Sequence, residues 1–206
     1  MIKSNFLKRL FTSLLILPLF IFIIIRGGSL FNLFLIVIFF LSFFEWTKIN
    51  LNNFLSVVLG MFFLIFSFYS AFLIRENIEY NLFLFLVLVS VSTDIGGYCF
   101  GKLLKGPKLT KISPKKTFSG SIGSFLMSLI LGVLFVRYFN IEISFNIYLT
   151  IFILSLISQI GDLTISFIKR KNKFKDTGNI LPGHGGILDR IDGLIFVFPF
   201  YYFFFY

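Results

Sequence analysis

The sequence predicts an all-α, polytopic integral membrane protein of about seven transmembrane helices with a cytoplasmic amino terminus. Three observations point there. Of its 206 residues 57% are hydrophobic and 20% aromatic, while only 14% are charged, against roughly 25% charged in an ordinary soluble domain. Seven apolar runs follow one another, several approaching the ~20 residues that cross a hydrocarbon core. The cations fall unevenly on alternate connections, as cytoplasmic loops require.

The runs are read in order. Leu10–Ile25 follows Lys3, Lys8 and Arg9 as a secretory signal would, but no small-residue cleavage site follows it and a second run begins at once. It is therefore expected as a retained helix. Ser29–Phe44 and Phe54–Ile74 are nearly charge-free spans. Tyr80–Ser92 is too short alone, so it must continue through Asp94 towards Gly101, carrying a carboxylate into the helix. Ser119–Val136, Asn146–Ile160 and Ile191–Tyr206 complete the set. The single cysteine, Cys99, excludes an intramolecular disulfide and is expected to be a packing residue. Neither repeats nor a soluble domain are evident. Residues 1–206 read as one membrane-embedded catalytic domain, with N-terminal spans over about 10–75 and a catalytic half over about 80–206.

With the amino terminus inside, sixteen of the nineteen Lys and Arg residues fall on inner segments and only Arg26, Arg75 and Arg137 on outer ones. Glu76, Glu79 and Glu142 sit in outer loops, and Glu45 ends the second span as an ordinary interfacial acid. Asp94, Asp162, Asp189 and Asp192 map to one depth near the inner face. Asp162 precedes Lys169 by seven residues, about 10 Å of helix, which puts it inside the bilayer boundary. Carboxylates there are costly and face a partner or a wet cavity. Asp189 and Asp192, spaced i, i+3, share a helix face and resemble half of a metal clamp.

Several carboxylates without clustered His or Cys favour a hard cation, and Mg²⁺ takes one or two carboxylates plus substrate phosphate oxygens. The competing reading is that Asp189, Arg190 and Asp192 form ion pairs that start the last span. The loop "GKLLKGPKLTKISPKKTFSG" mixes lysine with glycine, serine and threonine, a texture that suits phosphates as well as topology. Span five then begins near Ser119, where helix N–H groups could face an anion. His184, in "LPGHGG", is expected to shape its loop or touch phosphate. Carboxylates, cations and phosphate-binding loops at the inner surface suit phosphoryl or nucleotidyl transfer. A cation-coupled transporter and a lipid kinase remain alternatives at this point.

The stretch "SFIKRKNKFKDTGNILPGHGGILDRID" resembles the signature of phosphatidate cytidylyltransferases, the CDP-diacylglycerol synthases, at Ser166, Lys169–Arg170, Lys175–Asp176, His184–Gly185–Gly186, Asp189–Arg190 and Asp192. "STDIGGYCFGK" and "SPKKTFSG" are similar to that family's second conserved region, and "EWTKI" to its early segment. The family commonly has Trp and Glu where Phe118 and Ser119 stand, and Thr and Ala where Ile95 and Gly97 stand. The resemblance implies transfer of CMP from CTP to phosphatidate, with Mg²⁺ and a candidate second cation, at the cytoplasmic face of a bacterial inner membrane. It implies that Asp162, Asp189 and Asp192 hold metal, that Asp94 and Lys116 are catalytic, and that Lys115, Lys116, Thr117, Ser166, Lys169, Arg170, Lys175, His184, Gly185, Gly186 and Arg190 bind substrate. CTP, phosphatidate, membrane lipids and a second copy of the chain are the expected partners; nucleic acid is not.

Overall fold

The computed structural model describes residues 18–51, 53–110, 113, 116–143, 145–180 and 185–205. Every regular element among them is helical: α1 (18–26), α2 (Gly28–Ile49), α3 (Phe54–Asn77), α4 (Tyr80–Leu104), α5 (Phe118–Phe139), α6 (Ile147–Lys171), α7 (Leu188–Ile191) and α8 (Leu194–Phe205). Five of these, α2 to α6, are long and apolar enough to cross a membrane. The chain is an all-α integral membrane protein with five candidate spans among the described residues, and the expected count of seven is not confirmed. Of the first expected span, residues 10–17 lie outside the described residues. The last begins as the four-residue α7, passes a turn at Asp192–Gly193 and continues as the twelve-residue α8. α4 runs on past Gly101 to Leu104 and so carries Asp94 within it, as its sequence required.

Capping chemistry fixes several ends. Asn53 accepts from Ser56 N–H at the start of α3, Thr117 from Gly120 N–H at α5, and Asn146 from Tyr148 N–H at α6, each satisfying a donor that the first turn leaves open. Between α1 and α2, Gly27 and Gly28 both take positive φ (65° and 59°), and Arg75 reaches over to donate to the Ile24 and Ile25 carbonyls. At the opposite end Asn172 donates to Asn50 Oδ1 at 3.2 Å, tying the connection after α6 to that after α2.

The most extensive pairing in the bundle is between α4 and α5, and glycine explains it. A methyl group at Gly120 would lie 2.8 Å from the Gly97 carbonyl oxygen, and one at Gly96 would collide with the Gly123 carbonyl. In lipid there is no hydrophobic force between helices, so small residues that let backbones touch supply the packing energy. The glycines of the basic loop behave alike: Gly101 faces Thr117 and Gly106 faces Ser119. They close protein on protein, where the sequence suggested close approach to a ligand. The apolar core gathers Phe31, Ile74, Phe85, Leu86, Ile151 and Leu154, all fully buried. Trp46 centres a smaller cluster at the inner end, its indole flat on Gly60 and its N–H donated to the Ser56 carbonyl. Cys99 is exposed on α4 rather than packed.

Candidate active site

Three segments cross at one point. Ser90 on α4 and Ser158 on α6 share a hydrogen bond of 2.9 Å, and Gly193 presses on both hydroxyls. One helical turn beyond Ser90 stands Asp94, one turn beyond Ser158 stands Asp162, and beside Gly193 stands Asp192; a turn advances about 5–6 Å. The crossing therefore brings together three carboxylates that are far apart in sequence. They lie within electrostatic range of one another and of Lys116, and Asp192 also feels Lys169 while Asp94 feels Arg190. Burial deepens from Asp94, which is exposed, through Asp162, whose side chain is 26% exposed, to Asp192 at 6%.

Cations are delivered to this cluster by two loops. The connection from α4 to α5 folds into a small hairpin, with Leu109 N–H donating to the Lys116 carbonyl and Phe118 N–H to that of Pro107. This fold aims the Lys116 ammonium at Asp162, 2.5 Å away. Ser166, one turn along α6, donates to the other Asp162 oxygen at 3.2 Å, so Asp162 is oriented from two sides. Lys169, 8% exposed, bonds Asp189 at 2.5 Å.

Asp189 departs from expectation. It does not join Asp162 and Asp192 in a shared clamp, because the Lys169 ammonium stands on its one oxygen and the Thr177 and Gly186 N–H groups on the other. Burial alone would raise this carboxyl, but the Lys169 hydrogen bond, the Thr177 N–H, the Lys169 charge and the Gly186 N–H together hold it below the ordinary carboxylate range. Thr117, expected on substrate, is the N-cap of α5. Arg170 is exposed and donates to the Phe174 carbonyl at the end of α6. Lys175 is exposed, and Arg190 is exposed beside the cluster. Gly185 takes φ 87°, and Gly186 lies against Thr177 and Glu45. Lys115 and His184 lie outside the described residues.

One residue that the sequence made unremarkable is central here. Glu45, 1% exposed at the inner end of α2, accepts from Thr177 Oγ1 (2.9 Å), Ile187 N–H (3.0 Å) and Leu188 N–H (2.8 Å). The only sequence signal for it was its place in "EWTKI".

The donor set suits a hard cation, since Asp94, Asp162 and Asp192 offer oxygen ligands in one neighbourhood. Among the described residues no three His, Cys, Asp or Glu side chains gather closely enough to hold a metal unaided. That fits the habit of Mg²⁺, which takes one or two carboxylates and fills its shell with substrate phosphate and water. Alongside, an apolar cavity of about 810 Å³ is lined from α1, α2, α3, α4, α5, α7 and α8, with Leu19, Phe34, Val87 and Phe198 among its walls and Arg190 as a charged lining residue.

The family model described as the cytidylyltransferase family matches residues 48–206. A phosphatidate cytidylyltransferase of Rickettsia felis is 35% identical over 210 residues, covering 98% of this chain and 92% of that protein. The phosphatidate cytidylyltransferase of Rickettsia conorii is 36% identical, with 94% and 88% covered. That of Bacillus subtilis is 45% identical over 135 residues, which cover 63% of this chain and 50% of its own.

Proposed function

The chain belongs to the cytidylyltransferase family and is a nucleotidyltransferase, and from that premise we propose that it transfers CMP from CTP to phosphatidate, yielding CDP-diacylglycerol and pyrophosphate. The observation that carries this reading is the crossing of α4, α6 and the α7–α8 turn, which sets three carboxylates among Lys116, Lys169 and Arg190 beside an apolar cavity. The sixteen-to-three division of cations supports a cytoplasmic site, and the bacterial relatives support the inner membrane as its location.

A phosphatidate oxyanion is already a nucleophile, so the chain needs no strong general base; its tasks are placement and neutralisation of charge. The new bond forms between that oxygen and the α-phosphorus of CTP as the bond to the β-phosphate bridge breaks. Lys116 and Lys169 supply positive charge to the nucleotide phosphates, and Arg190, which lines the apolar cavity, holds the lipid phosphate while the acyl chains enter it. Asp162 and Asp192, with Asp94 nearby, would hold Mg²⁺, which when bound polarises the phosphate oxygens and offsets the charge of pyrophosphate as it departs. Ser166 and Lys116 fix the orientation of Asp162. All of these groups come from one chain.

The test is positional labelling. Purified protein with phosphatidate, Mg²⁺ and CTP labelled at the α-phosphorus should place label in an organic-soluble product, and EDTA should stop the reaction. Lipid labelled from the γ-position would instead identify a kinase, and no nucleotide dependence would return the transporter reading.

A further inference from the structure

Glu45 sits three residues before the segment matched by the family model, yet it accepts three hydrogen bonds from the signature stretch, at Thr177, Ile187 and Leu188. All three contacts are donated to it, so its two oxygens serve as acceptors throughout. Room for it is made by glycine: a methyl at Gly178 would come 2.5 Å from Glu45 Oε1, and one at Gly186 would come 2.5 Å from Oε2 while colliding with Thr177 Oγ1. Two glycines of the signature are thus explained by the approach of this carboxylate. A buried ionisable side chain in a membrane helix is costly, and an apolar residue would pack the same space without that cost. What the carboxylate adds is a set of directed acceptors.

We infer that Glu45 is a positioning residue for the transfer reaction, holding Thr177, Ile187 and Leu188 in the arrangement that presents Asp189, Arg190 and Asp192 to the site. The connection is continuous. Thr177, 2% exposed, donates its hydroxyl to Glu45 and its N–H to Asp189; Asp189 bonds Lys169; and Lys169 lies in the field of Asp192. Glu45 also anchors the Ile187 and Leu188 N–H groups at the entry to α7, directly before Asp189. The inference rests on the cytidylyl-transfer reading of the site.

Glu45→Gln keeps the shape of the side chain but replaces one acceptor oxygen by an amide that faces a donor whichever way it turns. The variant is expected to insert normally and to lose about 10- to 100-fold in kcat, the scale of one or two charge-assisted hydrogen bonds. Trypsin is expected to cut faster after the exposed Lys173 or Lys175, because the loop is released. Thr177→Val, which leaves α2 untouched, should show the same two effects more weakly, and combining it with Glu45→Gln should add little. Wild-type kcat in Glu45→Gln overturns the proposal, and so does lost turnover with wild-type cleavage. If Glu45→Gln fails to insert, the same two criteria are applied to Thr177→Val. If the wild-type protein transfers no CMP, the positioning role falls with the reaction, and the cleavage measurement distinguishes that result from a failure of the Glu45 contact itself.

Discussion

Replacing Gly193 by alanine should disable the site without touching any charged group. The new methyl would collide with Ser158 Oγ and lie 3.0 Å from Ser90 Oγ, the two hydroxyls whose hydrogen bond marks the crossing of α4 and α6. Neither hydroxyl can retreat while that bond holds, so either the bond breaks or the α7–α8 turn moves outward and takes Asp192 with it. Overpacking costs about 1–3 kcal/mol and a lost hydrogen bond about 0.5–1.5 kcal/mol, so the loss of stability is about 1–4.5 kcal/mol according to whether one or both occur. A misplacement of about 1 Å at a reacting centre costs on the order of 100-fold in rate, and loss of CMP transfer is expected on that scale. The assay is kcat for α-label transfer beside the thermal midpoint in detergent. Ser158→Ala in the same chain removes the colliding oxygen and leaves Ser90 Oγ at 3.0 Å, free of its hydrogen bond to Ser158, and the Ser158 carbonyl oxygen at 3.3 Å, contacts that small shifts absorb. The double variant should therefore be more active than Gly193→Ala alone. Full activity of Gly193→Ala, or additive losses in the double variant, would refute the idea that this crossing sets the carboxylate geometry.

Asp162→Asn and Asp192→Asn should each nearly abolish turnover at limiting Mg²⁺ while the protein still inserts, because the oxygen ligands lose charge but not size; near-normal activity of both would remove the metal assignment. The Asp189 carboxyl is held below its ordinary value, so its contribution to stability is full above the ordinary aspartate pKa of about 4 and is lost as pH falls through the lowered value. The thermal midpoint of Asp189→Asn should accordingly be lower than wild type near neutrality, with the gap closing below about pH 4. In a Cys99→Ser background, cysteines placed at Lys108 and Lys175 should label from one side of the membrane and those at Glu79 and Arg137 from the other, as the division of cations requires.

The spans were legible because hydrocarbon imposes a local rule: backbone polar groups must be satisfied within the segment, so apolar length alone marks a helix. The continuation of α4 through Asp94 followed from that same rule. The ends were less legible. The last run was expected to start at Ile191, but the Asp192–Gly193 turn falls directly after that residue, so the run's helix is α8 from Leu194 and Ile191 closes the separate α7. Spacing placed Asp189 and Asp192 on a common face; in the fold Asp189 bonds the Lys169 ammonium directly while Asp192 lies within its electrostatic range.

By itself, the sequence determined that this chain is a helical membrane protein, that its cations collect at one end, and that acids and a glycine-punctuated signature share that end. These are properties of composition and local spacing, which a chain carries before it folds. Only the tertiary structure decided which acids meet. Asp94, Asp162 and Asp192 converge because one turn of helix separates each of the first two from a serine at a shared crossing, and because Gly193 has no side chain to hold the third away. Glu45 and Thr177 are 132 residues apart, and an ordinary acid at a helix end acquires its place only when the loop folds over it. Hydrogen bonds and close backbone contacts act over a few ångströms, so their partners are settled by how helices cross rather than by how residues are spaced.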